Sequence, residues 1–274
     1  MNKKLLSLYS LKFNPFAADV PISALWPSPP LENFCWRIEQ QVGEGGFALV
    51  VGDPGSGKSA ALRLAAHRLS QLPDVTVGIL TRPQASLADL YRELGQLFAA
   101  PLSPHNRWAS AKVLREKWRH HIDTCLYRPV LLIDEAQEMT PTVLSELRLL
   151  ASADLDSRSI LTMVLAGDGR LAARLDTPDF LPVASRIRAR LRTETLAPAQ
   201  LLQCLTHLLK AAGNPKLLPV SLQQTLCEHA SGNLRLLMHL GDDLLAAALH
   251  QERDTLDEKL YFEVFAQDPK PKRG

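Results

Sequence analysis

Residues 47–69, FALVVGDPGSGKSAALRLAAHRL, constrain the fold more tightly than any other stretch. An apolar run passes through three glycines and a lysine into a segment with helical spacing, which predicts a buried strand, a tight loop and an amphipathic helix. In that context Gly52, Asp53, Pro54, Gly55, Ser56, Gly57, Lys58 and Ser59 satisfy the pattern GxxxxGK[ST], with Ala60 opening the helix behind them. Glycine at these places lets backbone N–H groups curl around a β-phosphate, Lys58 reaches the β/γ oxygens, and the Ser59 hydroxyl binds Mg²⁺. The chain is expected to bind a nucleoside triphosphate.

From that loop the chain alternates: helix 58–72, strand 75–80, helices 86–99 and 109–126, strand 129–133, helix 141–152, strand 159–166. Such alternation predicts an α/β fold, a P-loop NTPase parallel sheet flanked by helices. A preceding helix from Leu31 to about Val42 stops at Gly43, Gly45 and Gly46. After Glu194 the β-signal disappears and leucines recur at helical spacing, which predicts a C-terminal all-helical lid domain over 194–266. Residues 1–30, with Pro15, Pro21, Pro27, Pro29 and Pro30, read as an extended N-terminal segment, 31–193 as the nucleotide-binding domain and 267–274 as a basic flexible tail.

The segment VLLIDEAQ delivers Asp134 and Glu135 to the carboxyl end of a buried strand, where open α/β sheets bind ligands. Asp134 suits a Mg²⁺ role and Glu135 a base that polarises attacking water; alone, the two acids would read as caps of a following helix. Together with the loop they favour ATP hydrolysis, and no NKxD-type guanine motif appears. In SRIRARLRTETL, Arg188, Arg190 and Arg192 alternate with apolar residues, so a strand here carries its arginines on one face, solvated or functional. Arg186, directly after Ser185, is the candidate for a finger reaching a neighbouring subunit's γ-phosphate. Gly232-Asn233 divides two helices and places Arg235 in the first turn of the second, as a candidate contact to the γ-phosphate.

Taken together, these segments resemble the AAA+ ATPases, and within them the ExeA-like group that includes transposition helper ATPases of the TnsC and TniB type. GDPGSGKS stands where that group has its Walker A motif and LLIDEAQ its Walker B motif. SILTMVLAGD resembles its sensor 1 strand, SRIRARL its arginine-finger region and SGNLRLL its sensor 2. The start, LYSLKFNPF, is similar to the group's opening segment, which implies either that Asn14-Pro15-Phe16 lies near the adenine or that Pro-Phe anchors on a core. The resemblance implies an AAA+ core, ATP and Mg²⁺ as cofactors, catalytic roles for Lys58, Glu135, Arg186 and Arg235, and a homo-oligomer, ring or helical filament. One departure is Asp168, where relatives carry a neutral polar residue; a carboxylate is repelled by a γ-phosphate, so it is expected to turn elsewhere.

Secretion-type members join the ATPase to a transmembrane helix and a cell-wall-binding region, and this chain carries neither, which favours the transposition-helper branch. That branch implies duplex DNA, a transposase and a target-selection protein as partners. The net charge of +2 excludes a globally basic protein, so DNA contact would need a local patch. Arg82 and the helix face holding Lys112, Arg115 and Arg119 are candidates, against an ordinary solvated face. The alternatives are an ExeA/GspA-like ATPase assisting secretion or envelope assembly, and an ATP-gated scaffold with little turnover. Cys35, Cys125, Cys204 and Cys227 lie far apart with no CxxC pair, which reads as reduced thiols in a cytoplasmic protein without structural zinc. No stretch nears the roughly 18 apolar residues that cross a bilayer, and the leucine run after Lys3 and Lys4 is broken at Lys12, so no membrane association is expected.

Overall fold

The computed structural model describes residues 2–103, 105–155 and 157–265; the basic tail expected at 267–274 lies outside the described residues. In chain order the elements are α1 (Asn2–Leu8), α2 (Pro29–Gln41), β1 (Gly46–Gly52), α3 (Lys58–Ser70), β2 (Val77–Leu80), α4 (Leu87–Leu97) and α5 (Arg107–Cys125). Then follow β3 (Val130–Ile133), α6 (Pro141–Ala151), β4 (Ser152–Ala153), β5 (Arg158–Ser159), β6 (Thr162–Gly167), α7 (Gly169–Leu175), α8 (Leu181–Ala184) and β7 (Ile187–Thr193). The last four are α9 (Pro198–Ala211), α10 (Val220–Ala230), α11 (Leu234–His250) and α12 (Glu258–Phe265). The chain divides into two compact units, one of Pro27–Pro54 with Lys58–Thr193, the other of the chain up to Trp26, Gly55–Gly57 and everything from Glu194.

The first unit is built on a five-stranded, all-parallel sheet in the order β2-β3-β6-β1-β7. Its inner strands are buried and largely apolar because helices cover both faces: VLLI of β3 and TMVLAG of β6 are buried at every residue, Thr162 being the polar exception in these two. Edge strand β7 alternates instead, with Ala189 and Leu191 buried between exposed Arg188, Arg190 and Arg192. That edge is not bare. Arg37 of α2 donates to the Arg188 carbonyl at 2.6 Å, and Arg188 itself pairs with Glu44 at 2.5 Å.

Local chemistry sets the helix starts. Ser86, Asn106 and Thr140 accept hydrogen bonds from the third residue on, at 3.2, 3.1 and 3.3 Å, and so cap α4, α5 and α6; Pro141 fills the first position of α6. A buried carboxylate ties α4, α5 and α6 together: Glu146 accepts from the Tyr91 hydroxyl and from the Arg107 guanidinium. The strand expected from 159 begins only at Thr162. Arg158 and Ser159 pair back with Ser152 and Ala153 in a short antiparallel ladder before the chain joins the main sheet.

The second unit packs α9–α12 around leucines 201, 205, 209, 222, 226, 237, 244, 245 and 260. Its N-terminal part departs from the extended segment expected over 1–30. The prolines begin only at Pro15, and ahead of them Leu5 and Tyr9, one turn apart, are buried in the same core as the leucines of α9–α11. Tyr9 donates to the Arg253 carbonyl at 2.8 Å. Phe16 is likewise buried there, so close to Gly241 that a Cβ at that glycine would stand 2.3 Å from the ring. Asn14 donates to Asp242 at 2.6 Å and accepts from the Phe16 amide at 3.0 Å. Of the two readings of Asn14-Pro15-Phe16, the packing supports the anchor. No helix among the described residues is long and apolar enough to cross a membrane.

Candidate active site

Because every main strand is parallel, the exits of β1, β3 and β6 lie at one end of the sheet. The loop leaving β1 turns through Gly55 and Gly57 at φ of 84° and 99°, a region closed to most side chains, and delivers Lys58 as the first residue of α3. Lys58 is 7% exposed and donates to the carbonyls of Gly52 at 2.8 Å and Asp53 at 3.0 Å. With both carbonyls on the loop itself, the ammonium is held against the loop backbone. That arrangement suits an incoming phosphate.

Behind it, the Ser59 hydroxyl donates to Asp134 Oδ2 at 2.8 Å. These two residues are 75 positions apart in sequence and come from α3 and the exit of β3. A hydroxyl and a carboxylate oxygen at this distance fit a hard divalent cation that keeps most of its water and phosphate ligands, so Ser59 and Asp134 are the residues that would hold Mg²⁺. Asp134 Oδ1 accepts from the Glu135 amide at 2.9 Å, and Glu135 stands at φ 52°, in the left-handed region. A non-glycine residue held there costs on the order of 1–3 kcal/mol, and such outliers gather at functional sites.

Three residues that motif spacing did not single out complete this end of the sheet. Gln137, 7% exposed, donates from Nε2 to Glu135 Oε2 and accepts at Oε1 from the Asp168 amide at 3.3 Å. Arg174 donates to the Gln137 carbonyl at 2.6 Å. Arg170 bonds Glu138 at 2.8 Å and Asp168 at 2.9 Å. The Asp168 carboxylate is engaged at the start of the next helix: it caps α7 by accepting from the Arg170 amide at 2.9 Å. Burial works against its charge, yet the hydrogen bonds and charge of Arg170, with Lys58 behind them, hold its carboxyl below the usual aspartate range.

Arg186 sits elsewhere. It precedes β7, whose Ile187 is in register with Phe47 while Thr193 is in register with Gly52. Five residues of strand, roughly 17 Å at ~3.3 Å per residue, separate that position from the exit of β1. Its guanidinium donates to the Pro182 carbonyl, and burial, followed by the charge of Arg148, lowers its pKa from the usual value.

In the helical unit, Asn233 caps α11 by accepting from the Leu236 amide at 3.1 Å, and Arg235 is exposed in the first turn. The tip Gly55–Gly57 groups with this unit: the Arg235 amide donates to the Gly55 carbonyl at 3.2 Å, and a Cβ on Gly55 would fall 2.4 Å from Asn233 Oδ1.

Three of the four DNA candidates are engaged within their own chain. Arg115 donates to the Leu149 carbonyl at 3.0 Å, Arg119 lies 3.6 Å from Asp154, and Lys112 lies 3.8 Å from Glu116; Arg82 is exposed after β2.

Residues 40–175 match the family described as AAA domain. The General secretion pathway protein A of Aeromonas hydrophila is 33% identical over 210 residues, which cover 74% of this chain and 37% of that protein. Among solved structures, Cdc6p from Pyrobaculum aerophilum has a TM-score of 0.71 at 17% identity, over 91% of this chain and 70% of that one. The Drosophila ORC bound to DNA has a TM-score of 0.69 at 19% identity, over 96% and 65%. The Thermotoga maritima RuvB Holliday junction branch migration motor has 0.61 at 15% identity, over 88% and 69%. The sheet with its helices is an AAA+ fold.

Proposed function

We propose that this chain, an AAA+ ATP hydrolase that works with ATP and Mg²⁺, is an ATP-gated homo-oligomer that assembles on duplex DNA and selects targets for a transposase. The observation that carries the oligomer is the position of Arg186 at the far end of β7 from its own phosphate loop. A finger there serves the γ-phosphate of the next subunit.

In this reading Lys58 and the loop amides bind the phosphates, and Arg235 senses the γ-phosphate from the helical unit. Glu135 takes a proton from the attacking water. Held by Ser59 and Asp134, Mg²⁺ would neutralise charge between the β- and γ-phosphates. ATP occupancy then reports to neighbouring subunits, because each site lacks its finger arginine until a partner supplies Arg186.

DNA enters the proposal through the similarity to an ORC whose structure is bound to DNA, and through Arg82, Lys112, Arg115 and Arg119 as phosphate contacts. The last three would exchange an intrachain partner for a DNA phosphate, which predicts a steep salt dependence. A second reading has its own support: the Aeromonas protein carries the name of a secretion pathway component, which points to an ATPase assisting export or envelope assembly.

Light scattering and ATPase rate, each with and without duplex DNA at low salt, separate the readings. Transposition help predicts particle growth that needs both duplex and a non-hydrolysable ATP analogue. Particle mass and ATPase rate both indifferent to DNA at low salt would overturn that reading and favour export.

A further inference from the structure

We infer that Gln137 is a positioning residue for hydrolysis: its side-chain amide holds one oxygen of Glu135 and leaves the other for the attacking water. The inference rests on Glu135 as the base and adds a second residue to that role.

The orientation of the amide is fixed by its partners. The Asp168 backbone N–H can only donate, so Gln137 Oε1 must face it, and Nε2 must then face Glu135, whose carboxylate can only accept. A glutamate at 137 would oppose two carboxylates. An apolar residue of the same length would leave Glu135 without this hold.

The surroundings are shaped for the amide. Gly167 ends β6 with no room for a side chain: a Cβ there would lie 2.6 Å from Gln137 Oε1 and 2.7 Å from Leu171 Cδ2. Arg174 fixes the Gln137 carbonyl, and the Glu138–Arg170–Asp168 ion pairs close a ring of contacts between the exits of β3 and β6. Glu135 stands in the left-handed backbone region, and its carboxylate accepts from the Gln137 amide. Gln137 therefore couples the catalytic carboxylate to the backbone at Asp168, and any shift of that strand exit turns Glu135.

The test compares Gln137→Met with the native protein and with Glu135→Gln, measuring kcat and KM for ATP, the Kd of a non-hydrolysable analogue, and Tm. Gln137→Met keeps the length and packing and removes both hydrogen bonds. The expected result is a fall in kcat of at least tenfold, with analogue Kd within threefold of native and Tm little changed. An unchanged kcat overturns the inference, and so does a fall in kcat accompanied by matching losses in Kd and Tm, which marks a structural role. Glu135→Gln separates the two assignments: if it hydrolyses ATP normally, Glu135 is not the base, whereas an inactive Glu135→Gln beside a fully active Gln137→Met removes only the role given to Gln137.

Discussion

At the residue scale, the phosphate loop and the two acids meet through Ser59, which donates to Asp134, and through Asp134, which accepts from the Glu135 amide. Lys58 is buried and held on two loop carbonyls, so Lys58→Ala should abolish nucleotide binding, raising the Kd of a fluorescent ATP analogue at least a hundredfold while Tm changes little. A second test concerns stability alone. Glu146 is buried between Tyr91 and Arg107, and Glu146→Leu should cost about 3 kcal/mol in urea unfolding, because it leaves the Tyr91 hydroxyl buried without its partner. The pair Glu146→Leu with Tyr91→Phe should recover part of that loss, since removing both polar partners is cheaper than orphaning one. The loop and the acids were legible in the sequence because each motif is local and carries its own strand context. Gln137 follows the two acids in VLLIDEAQ, yet spacing alone does not mark it, for a physical reason. One of its two partners is a backbone N–H 31 residues away, which no spacing rule connects to it.

At the element scale, the parallel sheet followed from the alternation of apolar runs with helical segments, and β7 followed from arginines at every second position. Two short elements did not. The β4–β5 ladder has two residues per strand, too few for a period to register, and it moves the start of β6 to Thr162. The first helix was hidden by the prolines that follow it, since composition over 1–30 averages a helix with the proline-rich stretch behind it. Its role is to complete the core of the helical unit with Leu5 and Tyr9, as Phe16 does beyond it. Phe16→Ala should therefore destabilise the protein by about 3–5 kcal/mol, read as a lower urea midpoint. A mere extended segment would lose almost nothing. On α5 the expected face exists, but Arg115 is spent on the last turn of α6 and Arg119 on Asp154, so the spacing that shows a shared face does not show which charges are available to a partner.

At the scale of the whole molecule, the place where the chain stops does not separate transposition from secretion, because the chain spans 37% of the Aeromonas relative. Parallel register sets Arg186 and the phosphate loop at opposite ends of β7 and β1, which makes a site shared between copies the economical use of both. Mixing two inactive variants tests this most directly. Arg186→Ala keeps its own Lys58 and Glu135, and Glu135→Gln keeps its own Arg186. If the arginine acts on the next subunit, equimolar mixing should restore ATP hydrolysis to well above the summed rates of the separate variants, at concentrations where the native protein assembles. A mixture that hydrolyses ATP only at the sum of its parts would contradict the shared site.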